Sequence, residues 1–186
     1  MKKIALFGGT FDPPHIGHLA ICNAVWKQTN VDEIWFIPTY TPPHKEPANV
    51  SFDHRLNMLK LLMQKFDSVK VLSIEKEREG KSYTIDTVFQ IKQRFPDYEF
   101  KFIIGGDMVE YLPNWHRIDD LKKLLTFIGI SRVGYTFSDA DIEKIEMDPV
   151  NVSSSTIRSN IKSRGVYDGL TASVAEYIKE HRLYEH

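Results

Sequence analysis

The densest chemistry in the chain lies between Gly8 and His18, in the run Gly8-Gly9-Thr10-Phe11-Asp12-Pro13-Pro14-His15-Ile16-Gly17-His18. Adjacent glycines let backbone N–H groups approach an anion with no Cβ in the way. Asp12 suits the N-cap of a following helix, and Pro13 and Pro14 suit its first positions, where a missing N–H costs nothing. Such a helix directs its positive end at whatever sits over the glycines. His15 and His18 are three apart and so share one face of its first turn, with Gly17 between them leaving room for a ligand group. Other site types fit poorly. A metalloprotease zinc site asks for His at i and i+4 with a catalytic glutamate, a dinucleotide fingerprint for G-x-G-x-x-G, and a P-loop for a closing Gly-Lys-Ser/Thr. None of these patterns is present. The spacing supports a phosphate cradle flanked by two imidazoles.

Further segments could complete such a site. Asn151-Val152-Ser153-Ser154-Ser155-Thr156-Ile157-Arg158 is a serine-rich helix start, offering hydroxyls, backbone N–H groups and a guanidinium that can fork onto a phosphate. Ile104-Gly105-Gly106-Asp107 opens the backbone after a strand-like run and suits contact with a nucleoside, Asp107 being a candidate partner for ribose hydroxyls. Arg132 follows the next strand-like run and is expected near the same nucleotide. Thr41-Pro42-Pro43-His44-Lys45 is a proline-stiffened loop whose lysine can reach an anion. The segment Ser82-Tyr83-Thr84-Ile85-Asp86-Thr87 opens a helix whose N-terminal N–H groups can hold a carboxylate. Pro113-Asn114-Trp115-His116 reads as a turn that exposes an aromatic plane. Taken singly, each has an ordinary structural reading as a capped helix, a strand-to-helix turn, a surface lysine or a core tryptophan. The mixed-sign run Glu75 to Lys81 reads as a solvated turn. Cys22, the lone cysteine, lies among Ile21, Ala24 and Val25 and reads as a buried structural thiol with no internal disulfide open to it.

The elements that must hold these residues are visible in the periodicity. Ile4–Phe7, Glu33–Pro38, Val69–Ile74, Glu99–Ile104 and Phe127–Ser131 are short apolar runs of the kind buried on both faces of a sheet. Ile142–Met147 suits an edge strand. Between them stand helical patterns over Ile16–Gln28, over a stretch capped by Ser51 with Phe52, Leu56, Leu59, Leu62, Met63 and Phe66 in register, over Tyr83–Phe95 with Ile85, Val88, Phe89 and Phe95 on one side, and over Asp119–Leu125. Strands separated by helices of this length imply βαβ units, a parallel sheet and right-handed crossovers, hence the α/β class. Two further helices, Ser155–Ser163 and Leu170–His181, close the chain. At 186 residues the expectation is one domain, 1–186, with a small helical C-terminal part from about residue 152. With 42 % hydrophobic residues it can build a core without disulfides or a structural metal. No run approaches the ~18 apolar residues of a membrane span, and no secretory signal is visible, so a cytoplasmic protein is expected. A net charge of −1 gives no general pull toward nucleic acid or an anionic membrane, so any anion must be held by local geometry. Association into a homo-oligomer is left open.

The segment from Gly9 to His18 resembles the GxFDPxHxGH signature of the nucleotidylyltransferase superfamily, and residues 152–158 resemble its ISSTxIR motif, with Val152 for Ile and Ser155 for Thr. The resemblance implies a Rossmann-like, doubly wound parallel sheet. It also implies an ATP site drawn from Gly8, Gly9, Thr10, Phe11, His18, Gly105, Asp107, Arg132, Ser154, Ser155 and Arg158. The loop ending His44-Lys45, the helix start at 82–87 and the turn at 113–116 are similar to segments of the nicotinate mononucleotide adenylyltransferase family. That likeness implies an acceptor site of Thr10, His44, Lys45, Tyr83, Thr84, Trp115 and His116, with Trp115 near the pyridine ring. The expected reaction is transfer of AMP from ATP to nicotinate mononucleotide, giving deamido-NAD and pyrophosphate. In it His18 faces the α-phosphate, His15 joins the phosphate cluster, and Lys45 and Arg158 neutralise charge. Mg²⁺ is expected to arrive with ATP, since the sequence shows no acidic cage for it and no residue is assigned as a metal ligand. The alternatives are the same chemistry on nicotinamide mononucleotide or phosphopantetheine, or a nucleotide-binding regulatory module without catalysis.

Overall fold

Alternation along the strands decides where the core lies. In β1 (Lys2–Gly9), Ala5 and Phe7 point to one face of the sheet while Ile4 and Leu6 point to the other, and all four are buried. A strand apolar on both faces has to sit inside a sheet covered on both sides. The computed structural model, which describes residues 1–43, 45–78, 80–132 and 141–186 (Arg132 through its backbone alone), places β1 in that position. The chain continues through α1 (Ile16–Gln28), β2 (Glu33–Pro38), α2 (Phe52–Met63), β3 (Val69–Val71) and α3 (Thr84–Arg94). There follow β4 (Tyr98–Gly105), the short α4 (Gly106–Val109), a 3₁₀ turn at Leu112–Asn114, and α5 (Ile118–Leu124). The remainder comprises β5 (Thr126–Arg132), β6 (Ile142–Met147), α6 (Ser154–Arg164) and α7 (Ala172–Glu180).

The strands lie in the order β3-β2-β1-β4-β5-β6 and every pair is parallel. This is the doubly wound Rossmann-like arrangement. One face is packed by α1, α2, α6 and α7 through Cys22, Leu59, Ile157 and Val174, and the other by α3 and α5 through Val88, Ile91 and Leu121. The two C-terminal helices therefore share a core with α1 and α2. Cys22 is fully buried and burial pushes its thiol up to about 12, in keeping with a structural thiol.

Some elements differ from their sequence-based expectation. β3 ends at Val71, the last residue paired with β2, because an edge strand is ordered only as far as its single neighbour holds it. Phe89 is 53 % exposed rather than on the buried side of α3. At 100° per residue the buried arc runs through Ile85, Val88 and Ile91, which leaves Phe89 beyond its edge. Among the described residues no helix is long and apolar enough to cross a membrane.

Candidate active site

The strand order reverses at β1, where the chain first builds outward through β2 and β3 and then returns to place β4 on the other side. The crevice outside the carboxyl ends of β1 and β4 is where open α/β sheets bind ligands. Gly8 and Gly9 end β1, and Gly105 ends β4. Gly106 is required by packing, since a Cβ there would come within 2.7 Å of the Ile130 carbonyl oxygen of β5. Asp107 is exposed at the same end of the sheet, while His44 and the side chain of Arg132 lie outside the described residues.

The N-terminus of α1 is built from the two histidines. His15, not Asp12, is the N-cap: its Nδ1 accepts the Gly17 N–H at 3.0 Å, and the His18 Nδ1 accepts the His15 N–H at 3.0 Å. This is a capping box made of imidazoles in place of the usual hydroxyl and carboxylate. The space beside Gly17 is filled by His15 itself, since a Cβ at residue 17 would lie 2.8 Å from its Cε1. The glycine makes room for the cap rather than for a ligand. With both Nδ1 atoms accepting, the neutral rings must carry their protons on Nε2. Burial lowers the His15 pKa to about 4, and burial with His15 alongside pulls His18 well below its ordinary value. The rings lie 3.9 Å apart, with His18 wedged against Phe7 and Phe11. The pair consists of fixed neutral N–H donors.

Phe11 adopts a left-handed backbone (φ 53°), an unfavourable conformation for a bulky residue that is over-determined by burial of its ring against Phe7 and Phe36. Asp12, freed from capping, is 3 % exposed and ties distant parts of the chain together. Its carboxylate accepts the Tyr184 hydroxyl at 2.6 Å and the Asn49 backbone and side-chain N–H groups at 2.7 and 2.8 Å. Its carbonyl accepts from Arg158 Nη1 at 2.8 Å, and Ser154 donates its hydroxyl to the Pro13 carbonyl at 2.8 Å. Ser153 caps α6 by accepting the Thr156 N–H, and its hydroxyl lies 3.2 Å from that of Ser155. The N-termini of α1 and α6 thus meet over Asp12 to His15. Arg158 and His15 both attach to the turn between β1 and α1, Arg158 at the Asp12 carbonyl and His15 at the helix cap.

A cavity of about 310 Å³ opens beside the glycine turn. Gly8, Gly9 and Thr10 form one wall, and Lys45, Tyr83, Thr84, Trp115 and His116 also line it, so the described residues expected around the acceptor are gathered in one place. Tyr83 is the N-cap residue of α3 and stacks on His116 at 4.3 Å. Trp115 is half-buried, its ring held edge-on by Phe102 and Phe127 rather than fully exposed. His15, His18, Gly105, Asp107, Ser154, Ser155 and Arg158 do not line this cavity. Of the described residues expected around ATP, Gly8, Gly9 and Thr10 line it.

Residues 6–160 match the Cytidylyltransferase-like family model. Over 186 residues the chain is 46 % identical to a probable nicotinate-nucleotide adenylyltransferase of Oceanobacillus iheyensis, spanning 99 % of this chain and 97 % of that protein. It is 47 % identical, over the full length of both, to the nicotinate-nucleotide adenylyltransferase of Bacillus subtilis. The chain belongs to the nicotinate-nucleotide adenylyltransferase family. Its fold is also that of a Plasmodium falciparum nicotinic acid mononucleotide adenylyltransferase solved with NaAD, at a TM-score of 0.84 and 20 % identity, covering 100 % of this chain and 98 % of that one.

Two buried charges in this nicotinate-nucleotide adenylyltransferase family member were not singled out by the sequence. Arg55 of α2 is 2 % exposed and donates through Nη1 to the carbonyls of Thr10 and Thr39, both at 2.8 Å. It holds the glycine turn to the segment that leaves β2. The available signal was its position: Arg55 stands three after Phe52 and four before Leu59, in register with an apolar stripe. Glu75, expected in a solvated turn, is 6 % exposed and lies in the cavity wall, with burial pushing its pKa up. The run of alternating charges around it disguised a member that turns inward.

Proposed function

We propose that this chain transfers AMP from ATP to nicotinate mononucleotide, forming deamido-NAD and pyrophosphate within pyridine nucleotide biosynthesis. The carrying observation is the cavity that joins a lysine-bearing loop, the N-terminus of α3 and the half-buried Trp115, and that abuts the glycine turn leading into a helix capped by two imidazoles. Lys45 suits the acceptor phosphate, the N–H groups at Thr84 suit its carboxylate, and Trp115 and Tyr83 suit the pyridine ring. Gly8, Gly9, Thr10, His15, His18, Ser154, Ser155 and Arg158 are assigned to the ATP phosphates, with Gly105 and Asp107 on the nucleoside.

The acceptor phosphate oxygen attacks the α-phosphorus of ATP in line, the bond from that phosphorus to the bridging oxygen breaks, and pyrophosphate leaves with the electron pair. A phosphate monoester has its second pKa near ~6, so the nucleophile is already dianionic at neutral pH and needs no general base. The obstacle is repulsion between anions. Holding both reactants in line supplies roughly 7–11 kcal/mol in well-aligned cases. Each fixed donor directed at developing charge adds about 3–4 kcal/mol. Neutral Nε2–H groups from His15 and His18 are donors of that kind, and no covalent enzyme intermediate is formed. Among the described residues no group of three or more His, Cys, Asp or Glu is placed to hold a metal ion. Mg²⁺ is assigned to the triphosphate, as part of the substrate, where it would neutralise charge on the leaving group. A cytoplasmic setting suits a reaction whose donor is ATP.

Pyrophosphate release should be measured with MgATP and, in turn, nicotinate mononucleotide, nicotinamide mononucleotide and phosphopantetheine. The expected result is a kcat/KM for nicotinate mononucleotide at least tenfold above the others. Preference for another acceptor would transfer the same chemistry to it, and no release with any would leave a binding module.

A further inference from the structure

Glu75 lies in the wall of the acceptor cavity, and the proposed chemistry gives it nothing to do. Its surroundings are nevertheless specific. One carboxylate oxygen, Oε2, accepts the Tyr40 N–H at 3.2 Å, and the other, Oε1, accepts the Thr87 hydroxyl at 3.0 Å. Behind each partner stands an arginine. Arg55 donates to the Thr39 carbonyl at 2.8 Å, which is the far end of the same peptide group whose N–H reaches Glu75. Arg78 Nη2 donates to the Thr87 hydroxyl at 2.6 Å. A buried carboxylate thus sits between two guanidinium groups, joined to one through a peptide and to the other through a hydroxyl. Both relaying groups are oriented along the field between opposite charges, which strengthens each hydrogen bond in the series.

The relays are also the two ends of the acceptor site. Tyr40 begins the loop that carries Lys45, and Thr87 lies in the first turn of α3, one turn from the Thr84 N–H. The loop and the helix start meet again where Ser82 N–H donates to the Thr41 carbonyl at 2.9 Å. We infer that Glu75 is a positioning residue that sets the spacing between the Lys45 loop and the N-terminus of α3, and so matches the cavity to an acceptor with a phosphate at one end and a carboxylate at the other. This rests on the acceptor assignment above. A planar carboxylate is suited to the task because it accepts at two points with a fixed separation. An amide of the same shape keeps one accepting oxygen and places an N–H₂ at the other point, so the Thr87 hydroxyl must turn its proton away, toward the Tyr83 carbonyl 3.3 Å off, and the relay to Arg78 is altered.

The test uses the full chain with the substitutions Glu75→Gln and Thr87→Val, the second removing one relay without touching the carboxylate. Steady-state kinetics with ATP and nicotinate mononucleotide varied separately, and calorimetric titration of nicotinate mononucleotide alone, provide the readouts. Loosening one end of a two-point clamp should raise the acceptor KM and Kd about tenfold in each variant, with the ATP KM within about twofold and kcat within about threefold of wild type. A purely structural role predicts a different pattern, in which a lower melting temperature accompanies unchanged constants per folded molecule, or both KM values rise together. Either result overturns the inference, as does an unchanged acceptor KM in Thr87→Val should Glu75→Gln fail to fold. If wild-type protein neither binds nor adenylates nicotinate mononucleotide, it is the acceptor assignment that fails; if it does both and the variants show no split, Glu75 alone is misassigned.

Discussion

At the scale of single residues the decisive feature is the state of the two imidazoles. A histidine recruited to bind phosphate is commonly thought of as a cation, yet here each Nδ1 is occupied by a backbone N–H and burial disfavours the charged form. What remains is an Nε2–H donor whose direction is fixed by the helix it caps. Donation requires no titration, so kcat should stay level from about pH 7 to about pH 9 as far as these rings are concerned. A fall above about pH 6.5, the ordinary histidine value, would instead show that an imidazolium is needed. Substitution separates the two ends of the ring. His18→Asn keeps an acceptor near the Nδ1 position and thus the cap, but cannot reach where Nε2 stood. It should fold with a melting temperature close to wild type while losing about 10²–10³-fold in kcat, the usual loss for one donor aimed at a transition state. Thermal denaturation alongside steady-state kinetics checks both halves, and turnover near wild type would remove His18 from the transition state.

Elements bring such residues together, and here the sequence was only partly legible. The order of strands and helices could be read because β1, β2, β4 and β5 are apolar on both faces and the intervening helices carry one apolar stripe. The members of the glycine turn, the serine helix start and the Trp115 turn could be named because each pairs an unusual backbone requirement with a polar group. Asp12 was misread as a cap because its type suits that position, whereas the competing demand came from Tyr184 and Asn49, far away in the chain. Glu75 and Arg55 were hidden for a related reason. Arg55 is held by backbone carbonyls and Glu75 by a backbone N–H and the Thr87 hydroxyl, all on other segments, and no local pattern records a contact across 35 or 45 residues. The element that carries Trp115 makes a separable prediction. Since Phe102 and Phe127 hold the ring edge-on in the cavity wall, Trp115→Ala should raise the acceptor KM about tenfold or more, in line with loss of one aromatic contact plus its buried area. The ATP KM should change little, and equal rises in both would place Trp115 in the core alone.

Over the whole molecule the same contacts that build the site also govern stability, because α1, α2, α6 and α7 share one core and the C-terminal Tyr184 closes onto Asp12 beneath the glycine turn. His15 couples this to pH. It is 8 % exposed and its folded pKa is about 4, against an ordinary 6.5, so between those values the unfolded chain binds the proton and the folded one does not. Stability from this source is therefore complete above about pH 6.5 and is lost as the pH falls toward about 4. A shift of this size corresponds to ~3 kcal/mol at its limit. The depressed pKa of His18 acts in the same direction, while the raised pKa of Glu75 acts oppositely, relieving a buried charge as the solution becomes more acidic. In the unfolded chain histidine takes up its proton at about 6.5 and carboxylates only at about 4, so the upper part of the acid transition begins with the histidines. Urea unfolding at intervals from about pH 4.5 to about pH 7.5 should show the wild-type midpoint falling steeply below about pH 6.5. His15→Ala should start lower at neutral pH, by about 1 kcal/mol for the lost cap, and then decline more gently, so that the two curves converge in acid. Parallel curves would mean that His15 is not held as a buried neutral ring, and the fixed-donor account of the phosphate site would fall with it.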